Sequence, residues 1–296
     1  MMLSILIPTY NYNITGLVEI LSKQLENTPY KFEILVLDDC SSISEIAEAN
    51  KSVEKFANCF YFQSTENKGR TATRQALAEK SQFDWLLFMD ADVLPKSNNF
   101  IQNFDIENQT ADVVFGGISY DEKKPDKEKI LRWKYGKARE AKPVSEREKM
   151  PYLSIISQCF LIKKSVFLKA NDFHDNVYGV DVLFAQNLEK MQVAVLHFMN
   201  PIVHLGLESS ESFIRKTKKG LKSLYLFEKE NKIPKDYRPI QNAYLSLKRN
   251  YFLNLFIFTI KLFKPQIEKN LRGKTPSLFL FDLYRLYYFS QLKNNL

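Results

Sequence analysis

The stretch Trp85-Leu86-Leu87-Phe88-Met89-Asp90-Ala91-Asp92 decides the fold class of this chain. Five apolar residues lead directly into two carboxylates, a pattern typical of a strand buried on both faces of a parallel sheet. Ligands of open α/β sheets bind where the strands end, at their carboxyl edge. If the chain stays extended, alternation places Asp90 and Asp92 on the same side of the strand. The stretch therefore predicts a ligand site at this edge of a sheet.

The two carboxylates have two interpretations when they are taken alone. Carboxylate oxygens are ligands that Mg²⁺ prefers, and Mg²⁺ binds through one or two carboxylates together with substrate phosphates. An Asp-Ala-Asp sequence is also a common way to turn away from a strand and to cap the next helix. The rest of the chain has to distinguish a metal site from a turn.

The chain before this stretch alternates between predicted strands and predicted helices. Apolar runs at 3–8, 32–37 and 59–63 predict strands, and apolar residues at helical spacing follow each of them. Each predicted strand ends in a polar loop. This alternation indicates an α/β fold with a doubly wound, mostly parallel sheet, in which the polar loops reach a shared crevice.

Two common nucleotide-binding fingerprints are absent from the sequence. No Gly-x-Gly-x-x-Gly follows the first predicted strand, and Gly-x-x-x-x-Gly-Lys-Ser/Thr does not occur. Hydride transfer and P-loop phosphoryl transfer therefore lose support as functions.

Four short motifs, each at a predicted strand end or helix start, resemble those of the family-2 glycosyltransferases. They are Pro8-Thr9-Tyr10-Asn11, Val36-Leu37-Asp38-Asp39-Cys40-Ser41-Ser42, Asn67-Lys68-Gly69-Arg70-Thr71-Ala72-Thr73-Arg74 and Phe88-Met89-Asp90-Ala91-Asp92. The resemblance implies a GT-A-like fold, with a mostly parallel sheet flanked by helices. It covers residues 1–215, the implied nucleotide-sugar-binding catalytic domain, and leaves 216–296 as a basic, aromatic-rich helical extension.

The resemblance also implies roles for the residues of these motifs. Asp38 would contact the base of the donor nucleotide, and its structural alternative is a helix cap. The Asp-x-Asp signature would bind ribose and a Mn²⁺ or Mg²⁺ ion that bridges the donor diphosphate. For Arg74 the alternative is a solvent-exposed helix face. The implied donor-binding residues are Pro8, Thr9, Tyr10, Asn11, Asp38, Asn67, Gly69, Arg70, Arg74, Asp90 and Ala91.

Two later segments complete the implied site. Gly179-Val180-Asp181 resembles the family's Gly-x-Glu-Asp segment, which opens a helix and supplies the catalytic base, although Val180 stands where Glu is usual. An aspartate is also favoured at a helix start for capping and for the helix dipole. His204 would join Asp90 and Asp92 as a metal ligand, since an imidazole suits Mn²⁺. The alternative for a lone histidine is a structural role.

The resemblance implies a metal-dependent, inverting glycosyltransferase. Its donor would be a nucleotide sugar, with a UDP-sugar favoured, and its acceptor a hydroxyl of a glycan or of a lipid-linked saccharide. One alternative is a nucleotidyltransferase, which would be expected to carry a Gly-rich basic loop after the first strand; residues 9–13 have neither feature. The other is a catalytically inactive, membrane-associated interaction protein, for which Val180 is the one hint.

Residues 121–149 are dense in charged side chains, which predicts a mobile surface segment or a helix with two charged faces. In the resembling family this stretch often orders over the acceptor site. Trp133 and Tyr135 are its two aromatic residues. They are candidates for stacking on a sugar ring, and the alternative is that they anchor the segment to the body of the protein.

The net charge of +8 lies almost entirely in residues 244–296, which contain nine basic and two acidic residues. Pro265, Gly273 and Pro276 are expected to separate two amphipathic stretches, at 243–263 and 277–292. Basic residues beside Phe- and Leu-rich helical faces are typical of an interfacial helix on anionic lipid. The alternative is packing of these aromatic residues on the body. Truncation near residue 240 is expected to leave the donor chemistry intact.

Composition also gives an expected location. Three scattered cysteines, Cys40, Cys59 and Cys159, favour a reducing compartment. The first residues lack the basic region of a signal peptide, and the apolar run at 253–260 is too short to span a bilayer. We expect a cytoplasmic protein, peripheral on the inner face of the membrane. No nucleic-acid partner is expected, because no recognised module accompanies the basic charge.

Overall fold

The structure is a computed structural model that describes residues 2–171 and 177–294. Its strands are β1 (Met2–Thr9), β2 (Lys31–Asp38), β3 (Cys59–Gln63), β4 (Trp85–Met89), β5 (Val93–Pro95), β6 (Val113–Phe115), β7 (Ile118–Ser119), β8 (Cys159–Lys163), β9 (Val195–His197) and β10 (Ile202–His204). Its α-helices are α1 (Thr15–Leu25), α2 (Ser44–Lys51), α3 (Arg70–Lys80), α4 (Ile130–Tyr135), α5 (Val144–Arg147), α6 (Lys164–Ala170), α7 (Asp181–Lys190), α8 (Ser210–Lys229), α9 (Pro239–Arg249), α10 (Leu253–Leu271) and α11 (Leu278–Asn294).

Seven strands form one sheet in the order β3-β2-β1-β4-β8-β6-β9. Strands β1 to β4 run parallel, and β8 is antiparallel to both of its neighbours. Strand β4 lies at the centre, and all five of its residues are buried, as expected for a strand covered on both faces. This mostly parallel sheet flanked by helices confirms the predicted fold class.

The register of the sheet brings the carboxyl ends of β1, β2 and β4 to one edge. Thr9 pairs with Asp38, and Leu6 pairs with Phe88 one residue before β4 ends. Beneath this edge, the ring of Phe88 packs on Phe160 and Phe167, with centroids 5.2 and 4.4 Å away. The polar loops that follow these strands therefore share one region above a well-packed core.

A second, three-stranded sheet has the order β5-β10-β7. Strand β5 starts directly after Asp92 and pairs antiparallel with β10, so that Val93 lies opposite His204. This pairing brings Asp92 and His204, which are 112 positions apart in the sequence, next to each other.

The chain forms two compact units. The first comprises Met1–Asp121, Glu140–Asn176 and Phe184–Gly206, and it contains both sheets. The second comprises Glu122–Arg139, Val177–Leu183 and Leu207–Leu296, and it is helical. The predicted division of the chain into domains at residue 215 stays a prediction.

The second unit has its own apolar core, built from helices that are far apart in the sequence. The ring of Tyr135 packs on Phe213 and Phe281, with centroids 5.2 and 5.8 Å away, so this aromatic residue anchors the charged segment. Trp133 instead carries Lys137 over its ring at 5.0 Å. The buried members of the core are Leu131, Phe213, Ile214, Ile260, Ile267, Leu271, Phe281 and Tyr284.

The expectation that Pro265 separates two helical stretches is wrong, because α10 runs through it. Pro265 is exposed, while Ile260, Ile267 and Leu271 of the same helix are buried. Burial of that face outweighs the hydrogen bond that a proline cannot donate. Gly273 does lie in the break before α11. In the part of the chain that is described, no helix is both long and apolar enough to cross a membrane.

Candidate functional site

A cleft of about 270 Å³ lies at the carboxyl edge of the large sheet, within the first unit. The loops after β1 and β2, the start of α3 and the turn after β4 enclose it. The predicted residues Pro8, Thr9, Tyr10, Arg70 and Ala91 line it together with both carboxylates of the Asp-x-Asp motif. The full lining is Pro8, Thr9, Tyr10, Tyr12, Asp39, Arg70, Thr73, Asp90, Ala91 and Asp92.

Asp90 is held by two arginines of α3. The Arg74 guanidinium donates to Asp90 Oδ1 at 2.6 Å and also to the Ser157 carbonyl, and Arg70 donates to Asp90 Oδ2. The two arginines are four residues apart, so they lie on one face of the helix. Arg74 is buried, and therefore it does not belong to a solvated helix face, whereas the Arg70 side chain is half-exposed and lines the cleft.

The two carboxylates do not continue the alternation of β4. The chain leaves the strand after Met89 and turns at Ala91 and Asp92. Asp90 consequently pairs with α3, while Asp92 pairs with β10. The expectation that Asp90 and Asp92 lie on the same side required an extended chain. The chain is not extended here, so that expectation does not apply.

Asp92 faces His204 across the pairing of β5 and β10. The His204 Nε2 and Asp92 Oδ2 atoms are 3.2 Å apart, and the Leu205 N–H donates to the Asp92 carbonyl at 2.9 Å. Burial alone would raise the pKa of Asp92, but its hydrogen bond with His204 and the nearby charges of His204 and Arg70 hold that pKa below its ordinary value. Asp92 is therefore poised to be an anion.

Gly206 completes the surroundings of Asp92. A Cβ atom built on Gly206 would lie 1.8 Å from Asp92 Oδ2. Only a residue without a side chain leaves the carboxylate in its place. His204 is held from another side by Tyr120, whose ring meets the imidazole edge-on with centroids 5.5 Å apart.

The donor atoms at Asp92 fit a divalent cation that takes its other ligands from phosphate and water. No group of three or more His, Cys, Asp or Glu side chains within residues 2–171 and 177–294 is arranged to hold a metal ion. One carboxylate oxygen and one imidazole nitrogen do face each other, however, and Mg²⁺ bound with a substrate phosphate needs only one or two protein ligands. Both Asp90 oxygens already accept from arginines, so its predicted part in metal binding stays a prediction.

The two aspartates after β2 have different partners. Asp38 is fully buried, and its oxygens accept from the Ser41 N–H at 2.7 Å and from the Tyr61 hydroxyl at 2.8 Å. Burial and this bond to Asp38 raise the pKa of Tyr61. Asp39 lines the cleft, and it accepts the N–H groups of Lys68 and Gly69, each at 2.8 Å. Contact of Asp38 with the base stays a prediction. The motif alone leaves open which of the two aspartates caps the next helix and which binds a ligand, and Asp39 is the one that lines the cleft.

The predicted residues Asn11 and Asn67 join the loops around the cleft. The Asn11 side-chain oxygen accepts from the Ser42 and Ile43 N–H groups at 2.9 and 3.1 Å. The Asn67 amide donates to the Asp39 carbonyl at 3.0 Å. Gly69 immediately precedes α3 and has a φ of +80°, in the left-handed region that favours glycine. Neither Asn11 nor Asn67 nor Gly69 lines the cleft, so their contact with a donor stays a prediction.

Two other cleft residues escaped the sequence reading, Tyr12 and Thr73. Burial and the nearby Asp92 charge raise the pKa of Tyr12, and the Thr9 hydroxyl donates to its carbonyl at 3.0 Å. Thr73 lies one helical turn after Arg70. The signal that could have found Thr73 is this spacing of three residues, which places both side chains on the same face of α3.

Asp181, the predicted base, is exposed as the first residue of α7 and belongs to the second unit. Gly179 has a φ of +96°, and a Cβ atom there would lie 3.3 Å from the Cα of Gly220 in α8. The close approach of these two glycines fixes the turn from which Asp181 starts the helix. Its catalytic role stays a prediction.

The mostly parallel seven-stranded sheet flanked by helices, with a cleft at the carboxyl ends of β1, β2 and β4, matches a GT-A-like α/β fold. The family model described as glycosyl transferase family 2 matches residues 4–169, which is more than half of the chain. The chain therefore belongs to glycosyl transferase family 2, and this confirms the resemblance noted from its motifs.

Known proteins agree with this assignment. An uncharacterized glycosyltransferase of Haemophilus influenzae is 34% identical over 93 residues, which cover 31% of this chain and 29% of that protein. The match thus spans less than a third of the relative's length. The mannosyltransferase PcManGT from Pyrobaculum calidifontis, solved in complex with GDP-Man and Mn²⁺, superposes with a TM-score of 0.57 at 15% identity, covering 99% of this chain and 86% of that chain.

A second solved structure shares the fold. Glucosyl-3-phosphoglycerate synthase from Mycobacterium tuberculosis, solved with Mn²⁺, UDP and glucosyl-3-phosphoglycerate, superposes with a TM-score of 0.51 at 14% identity, and the match covers 75% of this chain and 78% of that chain. At 14–15% identity, the similarity of this chain to both structures is a similarity of fold.

Proposed function

We propose that this protein is a metal-dependent glycosyltransferase that moves a sugar from a nucleotide-sugar donor to a hydroxyl acceptor. The observation that carries the proposal is the cleft lined by Asp92 and the half-exposed Arg70, in which Asp92 pairs at 3.2 Å with the buried His204. A carboxylate, an imidazole and a guanidinium together suit a diphosphate accompanied by a cation.

The donor proposed is a UDP-sugar. The loop from Pro8 to Tyr10 and the Asp39 side chain line the part of the cleft formed by β1 and β2, where a nucleoside would lie. Support comes from the related fold of the Mycobacterium tuberculosis synthase with UDP. The Pyrobaculum calidifontis enzyme with GDP-Man shows that another base is an alternative to be included in any screen.

Asp92 and His204 would hold the Mn²⁺ or Mg²⁺ ion. When bound, the ion supplies stabilisation for the charge that develops on the departing diphosphate. Arg70 would add a second positive charge on the side of α3. Asp90 keeps both Arg70 and Arg74 in place, so its contribution within this proposal is to position the guanidinium that meets the phosphates.

Asp181 would act as the general base. It would take the proton from the acceptor hydroxyl as that oxygen bonds to the anomeric carbon and the bond from this carbon to the diphosphate oxygen breaks. A single displacement of this kind inverts the configuration at the anomeric carbon. General-base catalysis contributes typically about 10²–10⁴-fold to the rate.

The proposed acceptor is a glycan or a lipid-linked saccharide, and the proposed location is the cytoplasmic face of a membrane. The exposed aromatic residues and basic charge of the C-terminal segment support the location. They do not select an acceptor, which a screen of saccharides would have to identify.

The first test measures nucleotide binding with and without metal. We expect UDP to raise the melting temperature in Mn²⁺ or Mg²⁺, little shift in excess chelator, and loss of the metal-dependent shift in Asp92→Ala. Glu189→Ala, which removes an exposed carboxylate of α7, is the matched control and should behave as the parent protein. Equal UDP affinity with and without chelator would contradict the proposed metal dependence.

A further inference from the structure

Helix α10 carries apolar side chains on two opposite faces. Its inner face, with Ile260, Ile267 and Leu271, is buried in the core of the second unit. Leu255, Phe258 and Leu262 point the other way, because their spacing of three and four residues keeps them on one face. They are 62%, 66% and 62% exposed. We call the exposed set Tyr251, Phe252, Leu255, Phe258, Leu262 and Phe263 the outer face of α10.

The outer face is unusual for a helix at a protein surface. Such a helix normally buries one apolar face and presents charged residues on the other. Here several positions that are more than half exposed carry large aliphatic and aromatic side chains, and Tyr251 just before the helix is 94% exposed. A contiguous exposed apolar patch marks a place where another molecule binds.

The charges around the outer face identify the chemistry of that molecule. Between residues 248 and 274 the chain has seven basic residues and one acidic residue, Glu268. The Glu268 carboxylate is already engaged, since it accepts from the Tyr284 hydroxyl at 2.7 Å and lies 3.7 Å from Arg272. The basic residues are Lys248, Arg249, Lys261, Lys264, Lys269, Arg272 and Lys274.

We propose that the outer face of α10 inserts into the headgroup region of an anionic lipid bilayer, with the helix lying along the membrane surface. Aromatic and aliphatic side chains bordered by Lys and Arg are the composition that binds this interface. A partner protein with an apolar groove would not require so many cations around it. The inference rests on α10 itself and needs neither the donor nor the metal of the proposed function.

The structure also changes which residues would insert. Sequence patterning alone makes Phe252, Phe256 and Phe279 equivalent candidates. Phe252 and Phe279 are 59% and 69% exposed, but Phe256 packs against the core of the second unit. Phe258 and Leu262 replace it as the side chains free to enter lipid.

The test is flotation of the full chain with vesicles, without nucleotide or metal. Vesicles of phosphatidylglycerol and phosphatidylcholine are compared with phosphatidylcholine alone, at low and high salt. Basic residues near an anionic surface add to one another in attracting the protein, so partitioning should rise by roughly tenfold or more on the anionic vesicles. High salt should screen the charges and remove most of this gain. The weaker binding that remains would come from the inserted apolar side chains.

Paired variants separate insertion from charge. Phe258→Ser with Leu262→Ser should abolish the salt-resistant binding, whereas Met199→Ser with Leu226→Ser, which also removes two exposed apolar side chains, should not. Circular dichroism checks that both double serine variants are folded. In Phe258→Trp, brominated lipids should quench the fluorescence of the introduced indole, and in Met199→Trp they should not.

Two outcomes would overturn the proposal. One is equal binding by the two serine pairs, which would assign the interaction to charge elsewhere. The other is no vesicle binding combined with self-association that the Phe258→Ser and Leu262→Ser pair removes, which would assign the face to a second copy of the chain. Because UDP binding is measured separately, failure here leaves the proposed sugar transfer untouched and removes only the support for a membrane location.

Discussion

Gly206 is the residue whose replacement tests the site most directly. Its Cβ would lie 1.8 Å from Asp92 Oδ2, so Gly206→Ala must push the carboxylate away from His204. We expect this variant to fold but to lose the metal-dependent stabilisation by UDP, as measured by thermal shift. Gly16→Ala is the control, because its Cβ would meet nothing within 4 Å. Gly16 is the second residue of α1, where alanine should keep both the fold and UDP binding.

Asp181 supports a separate residue-level prediction. Asp181→Asn keeps the size of the side chain and its place at the start of α7 but removes the proton acceptor. UDP binding should be unchanged, and sugar transfer should fall by about 10²–10⁴-fold. Calorimetry measures UDP binding, and mass spectrometry of the product measures sugar transfer. Normal turnover would show that another carboxylate is the base.

For single residues, the sequence predicted which loops meet at the cleft but not always which side chain of a loop faces it. The motif Asp38-Asp39 was correctly placed at the end of a strand, yet Asp39 lines the cleft and Asp38 is bonded to Ser41 and Tyr61. Adjacent residues at a strand end point in different directions, and the turn that follows decides between them. Hydrogen bonds to a residue as distant as Tyr61 are not visible in a local pattern.

Helix α10 gives a prediction at the scale of a single element. Pro265 lies inside it and is exposed. Proline costs about 3 kcal/mol relative to alanine in a helix interior, and its rigidity in the unfolded chain returns up to about 1 kcal/mol. Pro265→Ala should therefore stabilise the protein by about 2 kcal/mol in urea unfolding.

The neighbouring substitution Gln266→Ala controls for changes at this exposed surface and should stay within about 0.5 kcal/mol of the parent. Destabilisation by Pro265→Ala would show that the proline is needed for the path of the helix.

The pairing of β5 with β10 shows why some elements could not be predicted fully. Each strand has three residues, too few for a periodic signal, and the pairing spans more than a hundred positions. The long apolar runs of β1, β2 and β4 were predictable because at least five consecutive residues of each strand are buried. The ligand pair Asp92 and His204 depends on both kinds of strand, and only the family resemblance suggested the histidine.

At the scale of the molecule, the core of the second unit predicts the effect of truncation. Ending the chain at residue 240 would remove Ile260, Ile267 and Phe281 and so uncover Leu131 and Phe213. It would also leave Glu228 buried without Gln241 and Lys293, its two partners. The sequence-based expectation that such a truncation leaves a working remainder therefore conflicts with the packing.

We expect the truncated protein to be insoluble, or to have α8 open to protease, as limited proteolysis with mass spectrometry would show. Removing only residues 295 and 296 provides the control and should preserve resistance. A soluble, resistant fragment ending at residue 240 would mean that α4 and α8 do not need the helices that follow residue 240. The sequence could not reveal this dependence, because α4, α8 and α11 contribute to one core from distant positions.

The two arginines on Asp90 bear on the order in which ligands arrive. Because Arg70 and Arg74 already neutralise Asp90, the proposed site offers a free cation two ligands from the described part of the chain, Asp92 and His204. Two ligands hold Mg²⁺ or Mn²⁺ weakly unless phosphate oxygens complete the coordination. Under the proposed function, metal and nucleotide would then enter as one complex, and occupancy would follow the cellular pool of metal-bound donor. Free metal alone would saturate the cleft only at concentrations far above those needed with the nucleotide present.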